Sequence, residues 1–354
     1  MKQFLSRFTK KRIVLCLVGF ISFLIFVGLT IYSNIRIEKL TDQHMAKRWS
    51  DKNGYSQISC FFGSSGRVTD YTLMEFKYKL TDLLRQDSIA ADSEDARLFV
   101  DAYSAEGTVF VSSEKSSLSL NAIGVSGDFF MFHPLKLVNG TYFSSDYIMQ
   151  DYVIIDEEAA WTLFGSSNVV GKTVMIRNVP HTVLGVVHRN QSELYKKAGL
   201  SKSTIYMSYN SLEKYGMSQG ISTYEVVMPN PISGYAKDKV KDNIGVEDCE
   251  VVENTDRFSA KELFNKLQHF FDRSMRLNGV SYPYWENVAR VTEDVLAIVF
   301  LFRIIFLGIP VVFITVLLIK LWRNRKWNIR DVGNGIVSLL YMVKGKIGKL
   351  LSKK

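Results

Sequence analysis

Two stretches of this chain are apolar for long enough to stand apart from the rest. Ile13–Tyr32 (IVLCLVGFISFLIFVGLTIY) runs twenty residues without a charge. Val295–Ile319 is a second such run, interrupted by Arg303 and Pro310. Either is long enough, as a helix, to cross a bilayer. No small-residue cleavage site follows Tyr32 in SNIRIEKL, so the first run reads as an uncleaved anchor.

Between the two runs the pattern is that of a folded domain with short, alternating elements. YSQISCFF (55–62) alternates as a strand with Ile58, Cys60 and Phe62 on one face. Asp70 is placed to cap a helix whose Leu73, Phe76, Leu80, Leu83 and Leu84 recur at helical spacing. RLFVDAYS (97–104) reads as a second strand. Much later come a strand at TYEVVM (223–228), a helix over 231–244 and a strand at CEVV (249–252). These outer pieces make two β-α-β units, the ingredients of a ferredoxin-like antiparallel sheet whose first and last strands are neighbours. Cys60 and Cys249 would then lie on adjacent strands, as two free thiols or one bridge. Residues 105–222 form a β-rich insertion: TVFVSS, SLSLNAIGV, YVIID, a KTVMIR/HTVLGVV hairpin turning at Asn-Val-Pro, and STIYMSY, with short helices at 157–164 and 210–216. The predicted fold class is therefore an α+β membrane protein, two transmembrane helices flanking a two-lobed exterior domain.

From Phe258 to Met275 an apolar stripe predicts a stalk, a helix on the outer membrane surface, or a helix packed on the sheet. Tyr282, Tyr284 and Trp285 read as an outer aromatic belt, with Trp322 and Trp327 as its inner counterpart. The implied boundaries are 1–12, span 13–32, core domain 33–257, connecting segment 258–294, span 295–319 and tail 320–354.

Charge orients this layout. Five Lys/Arg and no acid precede the first span, and ten Lys/Arg against Asp331 alone follow Ile319. Basic flanks stay in the cytoplasm, which puts both termini inside and residues 33–294 outside, in the cell membrane. The basic excess thus resides in the inner ends, where anionic lipid rather than nucleic acid is the expected partner.

FGSSNVVGKT (164–173) imitates a phosphate-binding loop, but five residues separate Gly165 from Gly171 where that loop needs four. A β-hairpin follows instead of a helix, and the segment lies on the exterior side. No catalytic motif, metal-ligand pair or cofactor loop is recognisable, so neither an enzyme nor a cofactor is expected. His181 and His188 fall on opposite faces of one strand, His44, His133 and His269 lack ligand-like neighbours, and the exterior acids look dispersed.

The insertion carries more specific signals. Gly124-Val-Ser-Gly-Asp128-Phe129-Phe130 is followed by Asn139-Gly140-Thr-Tyr-Phe143, Val153–Asp156, Ala159–Gly165 with Leu163 and Phe164, Gly171-Lys-Thr-Val, and Thr182–Val187 with Gly185. In this order, between two spans, they resemble the extracytoplasmic core domain of MacB-type ABC transporter permeases, the family that includes FtsX-like permeases. Gly165 then reads as a left-handed helix cap and Gly171-Lys172 as the turn entering the hairpin.

The resemblance implies a permease-like subunit of an export or mechanotransmission complex. A separate cytoplasmic ATPase would drive it. Three spans follow the domain in the family and only one follows it here, which implies a second permease or a homo-oligomer. The alternative is a ligand-sensing or regulatory protein using the same domain without a transport path. Candidate coupling positions are Arg303, the lone charge in either span, Pro310 as a kink, and Lys344, Lys346 and Lys349. Those lysines lie on an amphipathic tail that reads either as lipid-bound or as an ATPase docking helix.

Overall fold

The computed structural model describes residues 10–50, 54–63, 68–90, 96–144, 147–270 and 282–323. Two compact units emerge: Met1–Tyr32 with Leu301–Lys354, and Ser33–Phe300. In the first, helix α1 (Lys10–Glu38) meets part of the last long helix, Tyr284–Arg323. Both are long and apolar enough to cross a membrane. Ser22 Oγ donates to the Phe306 carbonyl at 2.7 Å, and Gly19 sits opposite Phe313. Small residues at a helix–helix contact let the backbones approach.

The second unit is built on one sheet of eleven strands. Its first half contains β1 (Tyr55–Phe62), β2 (Val100–Ser112), β10 (Thr223–Pro229) and β11 (Cys249–Glu253), in the order β11-β1-β10-β2 with all neighbours antiparallel. Helix α3 (Asp70–Gln86) links β1 to β2, and α7 (Tyr235–Asn243) links β10 to β11. This is the ferredoxin-like arrangement, with first and last strands paired. Phe62 faces Cys249 and Cys60 faces Val251, and both exterior thiols are free.

RLFVDAYS and TVFVSS are not two strands but parts of β2, thirteen residues long. From Ala102 to Ser112 it pairs with β3 (Ser117–Gly127), which carries the sheet on through β8 (Thr204–Ser208), β5 (Tyr152–Asp156), β7 (Val179–Val187) and β4 (Leu137–Gly140). The inserted half is thus welded to the first through a shared strand. The periodicity across Ala105–Gly107 is interrupted by small residues, which is why the sequence suggests a break there.

Strict alternation divides the sheet's residues between two cores. Ile58, Cys60, Ala105, Val109, Val153, Ile205 and Val226 face α3, α7, α5 (Glu157–Phe164) and α6 (Tyr209–Tyr215). Val100, Ala102, Ile123, Val125, Ile154 and Val227 face the other way. They meet α2 (Met45–Trp49), α4 (Phe129–Phe132) and the start of the last helix, α9 (Tyr284–Arg323).

Some local expectations shift. The N-cap of α3 is Thr69, whose Oγ1 accepts from Thr72 N–H at 3.2 Å, and Asp70 is the first helical residue. The hairpin from β6 (Thr173–Ile176) to β7 turns at Arg177-Asn178, both at positive φ, so Val179 and Pro180 are already strand. Asn tolerates that conformation better than most residues. Helix α7 starts four residues later than 231, after Gly234. Helix α8 (Ala260–Gln268) is short; Leu263 is buried and Phe264 exposed.

The outer aromatic belt is not what Tyr284 and Trp285 form. Trp285 is only 2% exposed and Tyr284 6%, both in the second core. Aromatic residues at the head of a membrane helix suit a headgroup layer and a protein core equally well by composition. Trp327 lies outside the described residues, and Trp322 is exposed.

Candidate functional site

The family-like motif positions fall together on the inserted half. Asp128 precedes α4, accepts from Arg97 at 2.6 Å and caps Met131 N–H with its carbonyl at 2.8 Å. Phe129 is buried, while Phe130 stacks on Tyr142 at 4.7 Å and meets the edge of Phe143 at 5.2 Å. Leu163 is in the first core and Phe164 lies 5.3 Å from Lys172 Nζ. Gly165 caps α5 at φ 72°, the left-handed region that costs glycine nothing. Gly140, at φ 81°, pairs with Gly185, and a Cβ on it would stand 2.1 Å from the Leu184 carbonyl. Gly171 donates to the Val183 carbonyl at the mouth of the hairpin, and Gly124 lies inside β3 beside α6. All of these shape the scaffold.

The chemistry lies one turn beyond the motif, at His133. This side chain is fully buried. Its Nδ1 donates to Asp42 Oδ1 at 2.8 Å and its Nε2 to Glu225 Oε2. Burial by itself would lower the imidazole pKa. The charge of Glu225 and the hydrogen bonds donated to both carboxylates outweigh it, and the value is pushed up to about 9. The histidine is therefore an imidazolium at neutral pH.

From Glu225 a polar chain continues through the second core. Ser59 Oγ donates to Glu225 Oε1 at 2.7 Å and Asn254 Nδ2 to Ser59 Oγ at 2.7 Å. Asn254 borders Arg257, which is 4% exposed. The Arg257 guanidinium grips Glu286 through two bonds of 2.6 and 2.8 Å, reaches Glu293 at 2.8 Å and Gln43 at 3.1 Å. Glu286 and Glu293 lie on α9, two turns apart, and are 0% and 1% exposed. Arg290, between them, adds bonds to Glu286 at 2.6 Å and Glu250 at 2.9 Å. Gln57 ties in the N-terminal side: its Nε2 donates to the Asp42 carbonyl at 2.7 Å and its Oε1 accepts from Met45 N–H at 2.9 Å.

The reason these side chains meet is the alternation of the sheet. Gln57, Ser59 and Glu225 are the odd-numbered partners of the apolar Ile58, Cys60 and Val226, and Ser59 stands opposite Glu225 in register. Aromatic rings seal the cluster: Trp285 lies 4.2 Å and Phe129 4.5 Å from the His133 ring. A bidentate guanidinium–carboxylate pair excluded from water holds its geometry strongly. What the arrangement does chemically is fix position. Among the described residues no group of three or more His, Cys, Asp or Glu is arranged to hold a metal ion.

Two sequence expectations are corrected here. His133 does have partners, and the exterior acids are not merely dispersed, since Asp42, Glu225, Glu286 and Glu293 converge through contacts spanning up to 214 residues. The sequence signal was slight: acids on the buried side of a strand and at the head of an apolar helix. His181 is buried and bonded to the Val179 carbonyl, while His188 is exposed and pairs with Glu157, so they do not form a site. Among the span residues, Arg303 lies 5.9 Å from the Phe26 ring, its Nε buried without a hydrogen-bond partner among the described residues, and Pro310 is buried inside α9. Lys344, Lys346 and Lys349 lie outside the described residues.

With this geometry in place, comparison with known proteins is informative. The sequence profile of the MacB-like periplasmic core domain matches residues 23–244. Similar curated proteins include the macrolide export ATP-binding/permease protein MacB of Chromobacterium violaceum, 36% identical over 72 residues, covering 20% of this chain and 11% of that protein. The protein of the same name from Neisseria gonorrhoeae is 30% identical over 108 residues, 28% of this chain and 17% of its own length. The match thus spans under a fifth of either relative. Among solved structures, the periplasmic region of MacB from Actinobacillus actinomycetemcomitans aligns with a TM-score of 0.41 at 16% identity, covering 62% of this chain and 94% of that one. The extracellular domain of the noncanonic ABC-type transporter YknZ aligns at 0.37 and 16%, covering 55% and 99%.

Proposed function

Because this chain belongs to the family of the MacB-like periplasmic core domain, we propose that it is the permease-like membrane subunit of an ABC-type export or mechanotransmission complex. It passes movement of its spans to the exterior domain. The observation that carries this reading is the buried polar chain. Asp42 and Gln43, which follow α1, and Glu286 and Glu293, on α9, are bonded through Arg257, Asn254 and Ser59 to Glu225 and His133. Both chain segments that connect the domain to an apolar helix are therefore locked to one another and to the motif-bearing end of β3. A shift of either segment has to move α4 or break charge-assisted bonds in a dry site.

On this reading the ATPase is a separate polypeptide and a second permease or further copies of this chain complete the spans. Both termini are cytoplasmic, and the domain occupies 33–257 with 258–294 as its connector. Arg303 and Pro310 are the coupling positions within the second span, and Lys344, Lys346 and Lys349 contact anionic lipid or the ATPase.

Purification of the full chain from its native membrane in mild detergent tests the proposal. Co-purification with an ATPase and a further permease is expected. Recovery of the chain alone favours the sensing or regulatory reading. Protease added to intact cells is expected to cut the domain, and protection until lysis would invert the topology and remove the basis for coupling.

A further inference from the structure

On the second face of the sheet lies a cavity of about 310 Å³. Its walls include Glu106, Asn121, Ile123, Ala198, Tyr284 and Asn287, from β2, β3, the turn before β8 and the head of α9. Glu106 stands opposite Ile123 on the paired strand and is mostly enclosed. No described residue offers its carboxylate a hydrogen bond or an ion pair. Burial pushes its pKa up to about 7, the mark of a charge deprived of water without a counter-charge.

Carboxylates in such settings are stabilised by a cation that enters with them. Here the cation must come from outside, because no lysine or arginine among the described residues pairs with Glu106. A hard metal ion fits poorly: calcium takes six to eight oxygens and magnesium near-ideal octahedral geometry, usually with several carboxylates or waters, while the lining supplies a single carboxylate beside two amides, three hydroxyl-bearing side chains and an apolar wall. An ammonium group on a compact body suits it better. Asn287 already donates both Nδ2 hydrogens, to the Ala198 and Tyr282 carbonyls at 2.9 Å each, so its Oδ1 remains as an acceptor. Ile123, Leu200 and Tyr284 offer the apolar wall. The volume stands at the lower end of small-molecule pockets.

We infer that this cavity is a binding site for a small organic cation, a protonated primary amine on a compact apolar body, with Glu106 as counter-ion and Asn287 as the second acceptor. The site does not depend on the coupling proposal, and it would serve a sensing protein equally.

The test uses the full-length chain in detergent, with phenethylammonium as probe and 2-phenylethanol as its neutral counterpart, followed by calorimetry at pH 8. Saturable binding of the amine is expected, at least about tenfold tighter than the alcohol, a factor that corresponds to roughly 1.4 kcal/mol. Glu106→Gln is expected to lose at least about tenfold for the amine and little for the alcohol. Ala198→Phe, at the partly buried rim, is expected to weaken both probes. Equal binding of amine and alcohol, undiminished binding by Glu106→Gln, or no binding of the amine to the wild-type chain would each overturn the assignment. Should Glu106→Gln fail to fold, the amine–alcohol comparison on the wild-type chain and the rim variant decide it.

Discussion

The two faces of the sheet are made by the same strands and are stabilised differently. On the first face, Ile58, Cys60, Leu73, Phe76, Leu80, Leu84, Val226 and their neighbours form an apolar core under helices. On the second, residues one position along the same strands (Gln57, Ser59, Glu225) hold a charged chain that runs among Phe129, Tyr284 and Trp285. Apolar packing is non-directional and tolerates small repacking. A buried ionic chain is directional and has few acceptable states. A domain built to transmit displacement gains from having one compliant face and one with discrete, all-or-none contacts, and here the discrete face is the one that meets the chain segments leading to the apolar helices.

The sharpest way to break this comparison is at Arg257. Arg257→Met removes the bidentate partner of Glu286 and the 2.8 Å bond to Glu293 in a dry core, and is expected to cost about 3–5 kcal/mol. Adding Glu286→Leu and Glu293→Leu removes the two buried acids that lost Arg257, while Arg290 keeps Glu250, and is expected to restore most of that loss while uncoupling the domain. Thermal or denaturant unfolding of the two variants beside the wild-type chain in detergent checks it. If the triple variant is no more stable than Arg257→Met alone, the charges are not the source of the loss. On the other face, Leu80→Ala leaves a cavity worth about 2–5 kcal/mol. It is expected to leave complex assembly intact under conditions where the variant stays folded.

The first face was legible in the sequence because each of its elements carries its own periodicity. Alternation at Ile58, Cys60 and Phe62 and helical spacing at Leu73, Phe76, Leu80 and Leu84 predict burial without knowledge of the partner. The same logic sends Gln57 and Ser59 to solvent, yet they are 0% and 1% exposed. Their partners, Asp42, Glu225 and Asn254, are up to 195 residues away, and no local pattern records that distance. His133 illustrates the limit, since nothing within several residues of it is acidic except Asp128, which pairs with Arg97 instead. Trp285 reads as a headgroup anchor for the same reason: composition reports an amphipathic ring, and only the tertiary fold tells which apolar medium receives it. Helix α5 is legible to its ends because its Asp156 cap and Gly165 stop are local.

Smaller effects sharpen the contrast. The His133 imidazolium has its pKa raised from the usual 6.5 to about 9, so its stabilising contribution is complete below about pH 6.5 and is lost as pH rises to about 9. That shift sets an upper bound of ~3 kcal/mol. Unfolding temperatures of the full chain measured between pH 6 and 9.5 are expected to fall across this window, and the slope is expected to flatten in His133→Gln. Glu106 affects only the lower part: its raised pKa makes stability fall between about pH 4.5 and 7, so the two groups separate above pH 7.

The smallest expected effect belongs to the apolar face. Thr69 Oγ1 satisfies the Thr72 N–H in the first turn of α3, one of the N–H groups that have no partner within the helix. Thr69→Ala is expected to cost about 1 kcal/mol, and the loss is expected to be independent of pH from 6 to 9.5, because no titrating group shares that bond. Pairing it with His133→Gln in one chain is the decisive measurement. The two sit on opposite faces of the sheet and share no partner, so their costs are expected to add within a few tenths of a kcal/mol. Strong coupling between them would mean that the apolar core does not insulate α3 from the polar chain, and that the two faces move as one.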